Sequence, residues 1–253
     1  SKKEIDDLVA GCLATLPVKD FLSESDFQAA MCDALRRNSD PSLWEWTRED
    51  PYATLGLPNK GAVYFDICGV YNQSRKVQIE LKYVVTPSVN TPPKDFPAFS
   101  YDLLKDCIKI ELAMSGLADT VALSKDYPVV YGLSIGLTNY PAFWQDKKRG
   151  KNGWSRQSLD HLRKGSHGFE IIETVAKTKD QLYNTIFRNK RYHLSFSLDW
   201  GIAWSEQVNQ SRFVIIAPDS LINNDKHGPR YSHDLADESY IPFVSMTARS
   251  DSK

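Results

Sequence analysis

The sequence predicts an α/β protein: a central four-stranded mixed sheet flanked by helices, followed by a C-terminal α+β extension. Three observations predict it. Apolar residues recur at helical spacing over 23–37 and again over 100–116, a β-rich hairpin pattern fills 61–85 between them, and a nearly continuous apolar run covers 127–137. The chain has 253 residues, 42% apolar and 25% charged, with mean hydropathy −0.42. A polymer of that composition folds, and at this length it buries a core without needing a disulfide or metal staple.

Taken in order, Phe27, Ala30, Met31, Ala34 and Leu35 make one helical face. Ser23 is its N-cap, and Arg36 and Arg37 meet the C-terminal end of the dipole. The segment 42–50, SLWEWTRED, reads as a short strand. The run GAVYFDICGV, a polar turn YNQSR and the run KVQIELKYVV form a hairpin, and 87–97, rich in proline, forms a loop. A second helix begins at a Ser100 cap, carries Leu104, Cys107, Ile108, Leu112 and Ser115 on one face, and ends at Gly116. The run 127–137 is a strand covered on both faces.

Residues 1–137 thus form a core in the order helix, strand, strand, strand, helix, strand. Residues 138–253 form an extension packed on that core rather than an independent domain. Within the extension the pattern gives a Trp-containing basic segment to about residue 165, a helix around 178–190, strands at 192–198, 212–218 and 241–247, and a polar loop at 223–239. Cys12, Cys32, Cys68 and Cys107 make no C-x-x-C pair and sit in apolar patterns, so they read as buried free thiols.

Charge is unevenly distributed. The net value of −1 conceals a segment, 147–193, holding twelve Lys/Arg against four Asp/Glu. That excess of +8 suits a polyanionic partner. Lys147, Lys148, Arg149, Lys151 and Arg156 interleave with Trp144 and Trp154, a composition able to contact phosphates while stacking on bases. No apolar run reaches the roughly 18 residues of a membrane span, and the first residues lack the pattern of a secretory signal. A soluble, cytoplasmic protein without a membrane partner is therefore expected. A P-loop, a G-x-G-x-x-G fingerprint and a G-x-S-x-G elbow are all missing from the sequence, and its histidines show no metal-pair spacing.

The residues that bear chemistry are Asp66, Glu80 and Lys82. Alternation along the second hairpin strand puts Glu80 and Lys82 on one face. A hairpin turning about Gln73 would set Asp66 opposite Glu80, with Cβ atoms about 5 Å apart. Two carboxylates so placed repel and need a cation; their hard oxygens suit Mg²⁺ or Mn²⁺ better than zinc. Lys82 would neutralise charge building on a phosphate oxygen or help generate hydroxide. The competing reading is an exposed hairpin face with a surface salt bridge. Asp102, Lys105 and Lys109 could touch a substrate backbone, but their spacing suits ordinary helix-surface pairing, Asp102 with Lys105 and Asp106 with Lys109.

Asp66 and the Glu80-Leu81-Lys82 tripeptide, set in that element order, resemble the PD-(D/E)XK nuclease superfamily, which includes restriction and repair enzymes. The resemblance spans roughly residues 20–137 and implies a restriction-endonuclease-like core. It implies that Asp66, Glu80 and the main-chain carbonyl of Leu81 bind the metal, that Lys82 is catalytic, and that Glu24 on the first helix joins the ligands. Phe65 stands where the family motif has proline. The implied activity is Mg²⁺-dependent hydrolysis of phosphodiester bonds, with DNA as the partner, RNA left open and a homodimer consistent with two cuts in a duplex. The alternative is a catalytically silent scaffold of the same kind that binds nucleic acid or a protein.

Overall fold

The computed structural model describes residues 1–17, 21–52, 63–86, 96–114, 127–143, 168–172, 190–195, 200–205, 211–218 and 232–234. The chain opens with a helix that the sequence reading did not include, α1 (Lys2–Thr15). The Ser1 hydroxyl accepts the Glu4 N–H at 3.3 Å in a capping box, and Ile5, Val9, Cys12 and Leu13 form its buried stripe. Helix α2 (Glu24–Asn38) starts where expected, its Ser23 cap accepting the Asp26 N–H at 3.2 Å. Phe27, Met31, Cys32, Ala34 and Leu35 are buried along it.

Strands β1 (Trp44–Tyr52), β2 (Val63–Tyr71) and β3 (Arg75–Val84) follow as an antiparallel meander. The β2–β3 turn uses Asn72 and Gln73 at φ 46° and 47°, the left-handed region that asparagine tolerates better than most residues. Helix α3 (Phe96–Met114) crosses over to β4 (Val129–Thr138), which pairs parallel with β3, Glu80 standing beside Ser134. This helix starts at Phe96 rather than at Ser100, with Pro97 tolerated in its first turn because an N–H there has no intrahelical acceptor.

After a 3₁₀ turn at Pro141–Phe143 come β5 (Gly168–Ile172), β6 (Lys190–Ser195), β7 (Trp200–Trp204), β8 (Arg212–Pro218) and β9 (Ser232–Asp234). The fold is mixed α/β, but the sheet is larger than the four strands expected. β8 pairs antiparallel with β4 and β7 with β8, giving six strands in the order β1-β2-β3-β4-β8-β7. The apolar run 212–218 thus supplies a sheet strand, and its Phe213 joins the main core cluster. Strands β5, β6 and β9 form a separate three-stranded sheet. Short β9 lies inside the stretch expected as loop, and Lys190, expected at a helix end, begins β6. The rest of that helix, the 241–247 strand, Trp144, Trp154 and the basic residues 147–156 lie outside the described residues.

The two faces of the sheet differ in chemistry, and this difference makes the site. Val77, Ile79 and Leu81 of β3, with Tyr131, Leu133, Ile135 and Leu137 of β4, join the apolar core built with α1 and α2. The alternate positions Gln78, Glu80 and Ser134 are buried and polar. Helix α3 covers that second face closely, because β4 offers Gly132 and Gly136 there. A Cβ at Gly132 would lie 2.3 Å from Ile110 Cγ2, and one at Gly136 would lie 2.6 Å from the Phe99 ring. All four cysteines are buried and form no disulfide, as expected. No helix among the described residues is long and apolar enough to cross a membrane.

Candidate active site

The hairpin has the register expected of it, but its ladder ends one pair before Asp66 and Glu80. The last paired residues are Ile67 and Ile79. Beyond them β3 continues beside β4, while β2 leaves it and stays with β1. On the β1 side the pairing also skips one step, at Glu49 and Asp66, where Glu49 adopts φ 53°. The strand is therefore irregular at Asp66, and Phe65 and Ile67 enter different core clusters.

Two carboxylates replace the missing ladder. Leu81 N–H donates to Asp66 Oδ2 at 2.7 Å, and Tyr83 N–H donates to Glu24 Oε2 at 3.2 Å. Each satisfies an edge amide of β3 that β2 would otherwise have paired. An extended residue presents its N–H and C=O to the same neighbour, so the Leu81 carbonyl faces the same gap. The Gln28 side chain, buried on α2, donates to the Asp66 carbonyl at 2.6 Å and fixes β2 where it turns away.

Glu80 and Lys82 lie on the α3 face. Glu80 is only 2% exposed, and its Oε1 is 2.5 Å from Lys109 Nζ. Lys82 Nζ lies 3.3 Å from Asp106 Oδ2 and 3.7 Å from Glu24 Oε1. The structure thus brings together Glu24, Asp66, Glu80 and Lys82, and adds Asp106 and Lys109. Of the expected helix-surface pairs, Lys105 meets Asp102 at 2.6 Å, although Lys105 is buried rather than at the surface. Asp106 and Lys109 turn to β3 instead. Their signal in the sequence was position, since both fall among Leu103, Cys107 and Ile110 on a face with apolar neighbours.

Burial and charge pull these groups in opposite directions. Burial pushes the Glu80 carboxyl well above its ordinary value, opposed by Lys109 and reinforced by Asp66 and Asp106. Asp106 and Glu24 are raised for the same first reason, and Lys82 holds both down in part. Asp106, then Glu24 and Glu80, raise Lys82 against its own burial. Burial lowers Lys109, but Glu80 and Asp106 outweigh it and leave that ammonium raised. Both lysines are therefore cations at neutral pH. Comparison with protein-family models, with curated proteins and with solved structures finds no match.

The donor set fits a hard dication by its chemistry. When ionised, Glu24, Asp66, Glu80 and Asp106 carry four negative charges against the two ammonium groups of Lys82 and Lys109. The excess of two is the charge of Mg²⁺ or Mn²⁺, and all four acids offer hard oxygens. As they stand, however, the acids are engaged elsewhere. Among the described residues no three His, Cys, Asp or Glu side chains are grouped so as to hold a metal. Asp66 is turned to Leu81 and Glu80 to Lys109.

Proposed function

We propose that this chain is a divalent-metal-dependent nuclease that hydrolyses phosphodiester bonds, with DNA as its substrate. The observation that carries this reading is the meeting of Glu24, Asp66 and Glu80 with Lys82, two negative charges in excess, at the gap where β2 parts from β3. Asp66, Glu80 and the Leu81 carbonyl would hold the metal, with Glu24 at the more open side, its side chain 45% exposed. When bound, Mg²⁺ or Mn²⁺ supplies a positive centre for a phosphate oxygen and for the attacking water.

Lys82 acts as a cation in this scheme. Its raised pKa, set first by Asp106, suits a donor that stabilises charge on the phosphate rather than a base that removes a proton. Asp106 holds the ammonium within 3.3 Å, on the α3 face of β3. The basic segment 147–193 would grip the duplex backbone, and two cuts in a duplex would suit a homodimer with two active sites. The test is incubation with supercoiled plasmid, linear DNA and RNA, with Mn²⁺ or with a chelator. Asp66→Ala and Lys82→Ala should each lower metal-dependent nicking about a hundredfold or more and leave the fold unchanged by circular dichroism. Equal cleavage by wild type and both variants would refute the assignment.

One observation favours a second reading, a silent scaffold that binds nucleic acid. Glu80 is already neutralised by Lys109, so the pocket can hold together without a metal. Retardation of DNA without cleavage in Mn²⁺ would select that reading.

A further inference from the structure

Lys109 sits at an unusual place for a lysine. It lies one turn beyond Asp106 on α3, its side chain 18% exposed, with Nζ 2.5 Å from Glu80 Oε1 and 4.8 Å from the centre of the Phe65 ring. Its ammonium is therefore held between a β3 carboxylate and the face of a β2 aromatic, beside the gap between those strands. The ring attracts the cation through its quadrupole, and Glu80 attracts it through a full charge.

Building on the reading of the cluster as a dication site, we propose that Lys109 is its resident counter-cation, and that a divalent metal enters by displacing this ammonium from Glu80. Two facts drive the exchange. A hard dication sits about 2.0–2.2 Å from its carboxylate oxygens, and an ammonium 2.5 Å from the same oxygen would face it at a separation where like charges repel strongly. With the ammonium in place the cluster also keeps an excess of two negative charges, and exchanging that single charge for a dication lowers the excess to one, which another lysine would not do. In the metal-free chain Lys109 keeps a buried carboxylate from standing alone. The site is thus folded before metal arrives, and metal affinity is set by competition.

The experiment is a Mn²⁺ titration of the full chain, followed by the electron paramagnetic resonance of free Mn²⁺. Lys109→Met removes the competitor and should tighten Mn²⁺ binding about tenfold, equivalent to about 1.4 kcal/mol. Lys109→Arg keeps the charge and should bind like wild type, and Glu80→Gln should bind at least tenfold more weakly. In the wild-type chain, saturation with Mn²⁺ should raise acetylation of Lys109 by an amine reagent, read by peptide mass spectrometry. This second measurement keeps the test sharp if Lys109→Met does not fold. Binding by Lys109→Met no tighter than wild type, Lys109 acetylation unchanged by Mn²⁺, or no Mn²⁺ binding at millimolar concentration by either chain would each overturn the proposal. Tightening in Lys109→Met without cleavage by wild type would retain the displacement and discard the nuclease. Cleavage without tightening would do the reverse.

Discussion

Glu80 is a carboxylate in a place that suits a neutral group, and its behaviour with pH follows from that. Its folded pKa lies well above the ordinary 4.5, with burial the first cause, so the folded chain holds this proton more firmly than the unfolded one. Stability from such a group is fully present below the unfolded value and is lost as pH rises through the folded one. Glu80→Gln does not titrate there. Its unfolding free energy, less that of wild type, should therefore grow as pH rises above about 4.5. Urea denaturation from pH 4 to 8 would show it, and a flat difference would mean that Lys109 cancels the effect of burial. Gln28 gives a second test. Gln28→Ala leaves the Asp66 carbonyl without its 2.6 Å donor and should cost about 1–3 kcal/mol. It should also lower metal-dependent cleavage by loosening the strand that carries Asp66. A loss of stability with cleavage intact would confine Gln28 to the fold.

At the level of elements, the placement of α3 decides whether Asp106 and Lys109 can reach β3 at all. The helix lies close because β4 presents Gly132 and Gly136 to it. Gly132→Ala forces Ile110 away and should destabilise the chain by about 1–3 kcal/mol. Because Ile110 neighbours Lys109, the same change should draw that ammonium off Glu80 and tighten Mn²⁺ binding, readable alongside thermal unfolding. Normal Mn²⁺ affinity in a destabilised Gly132→Ala would show that the helix shift does not reach the cluster. Elements were also where the sequence was easiest and hardest to interpret. Period-two alternation and a polar turn place the hairpin register at the residue, since a one-residue slip would turn Val77, Ile79 and Leu81 to the opposite face. The parting of β2 from β3 left no such pattern, because it depends on Glu49 and on a carboxylate arriving from α2. Asp106 and Lys109 read as a surface pair because i,i+3 spacing is all that a helix displays locally. Only the polar Gln78, Glu80 and Ser134 of two central strands hinted that the covering helix must bring charges of its own.

Across the whole molecule, the charges separate into a +8 segment and a remainder of −9. If 147–193 binds DNA, affinity should fall with salt, by about 0.9 in log K for each unit of log salt per phosphate neutralised. Replacing Lys147, Lys148 and Arg149 together by Ala should reduce that slope by up to about three contacts' worth, while leaving Mn²⁺ affinity unchanged. An unaltered slope would remove these residues from the interface. The six-stranded extent of the sheet was legible only in pieces. The run 212–218 reads as a strand from its apolar residues, but its partner β4 lies more than seventy residues earlier in the chain, and local pattern does not encode such a pairing.

The seam between β2 and β3 has one further consequence. Two main-chain amides, those of Leu81 and Tyr83, are satisfied by side-chain oxygens rather than by a neighbouring strand. Any ligand that recruits Asp66 or Glu24 takes an acceptor from one of them. Their proton exchange with solvent is therefore a built-in gauge of occupancy, quickening at Leu81 when Asp66 is called away and at Tyr83 when Glu24 is, while the amides of paired residues such as Ile79 stay slow.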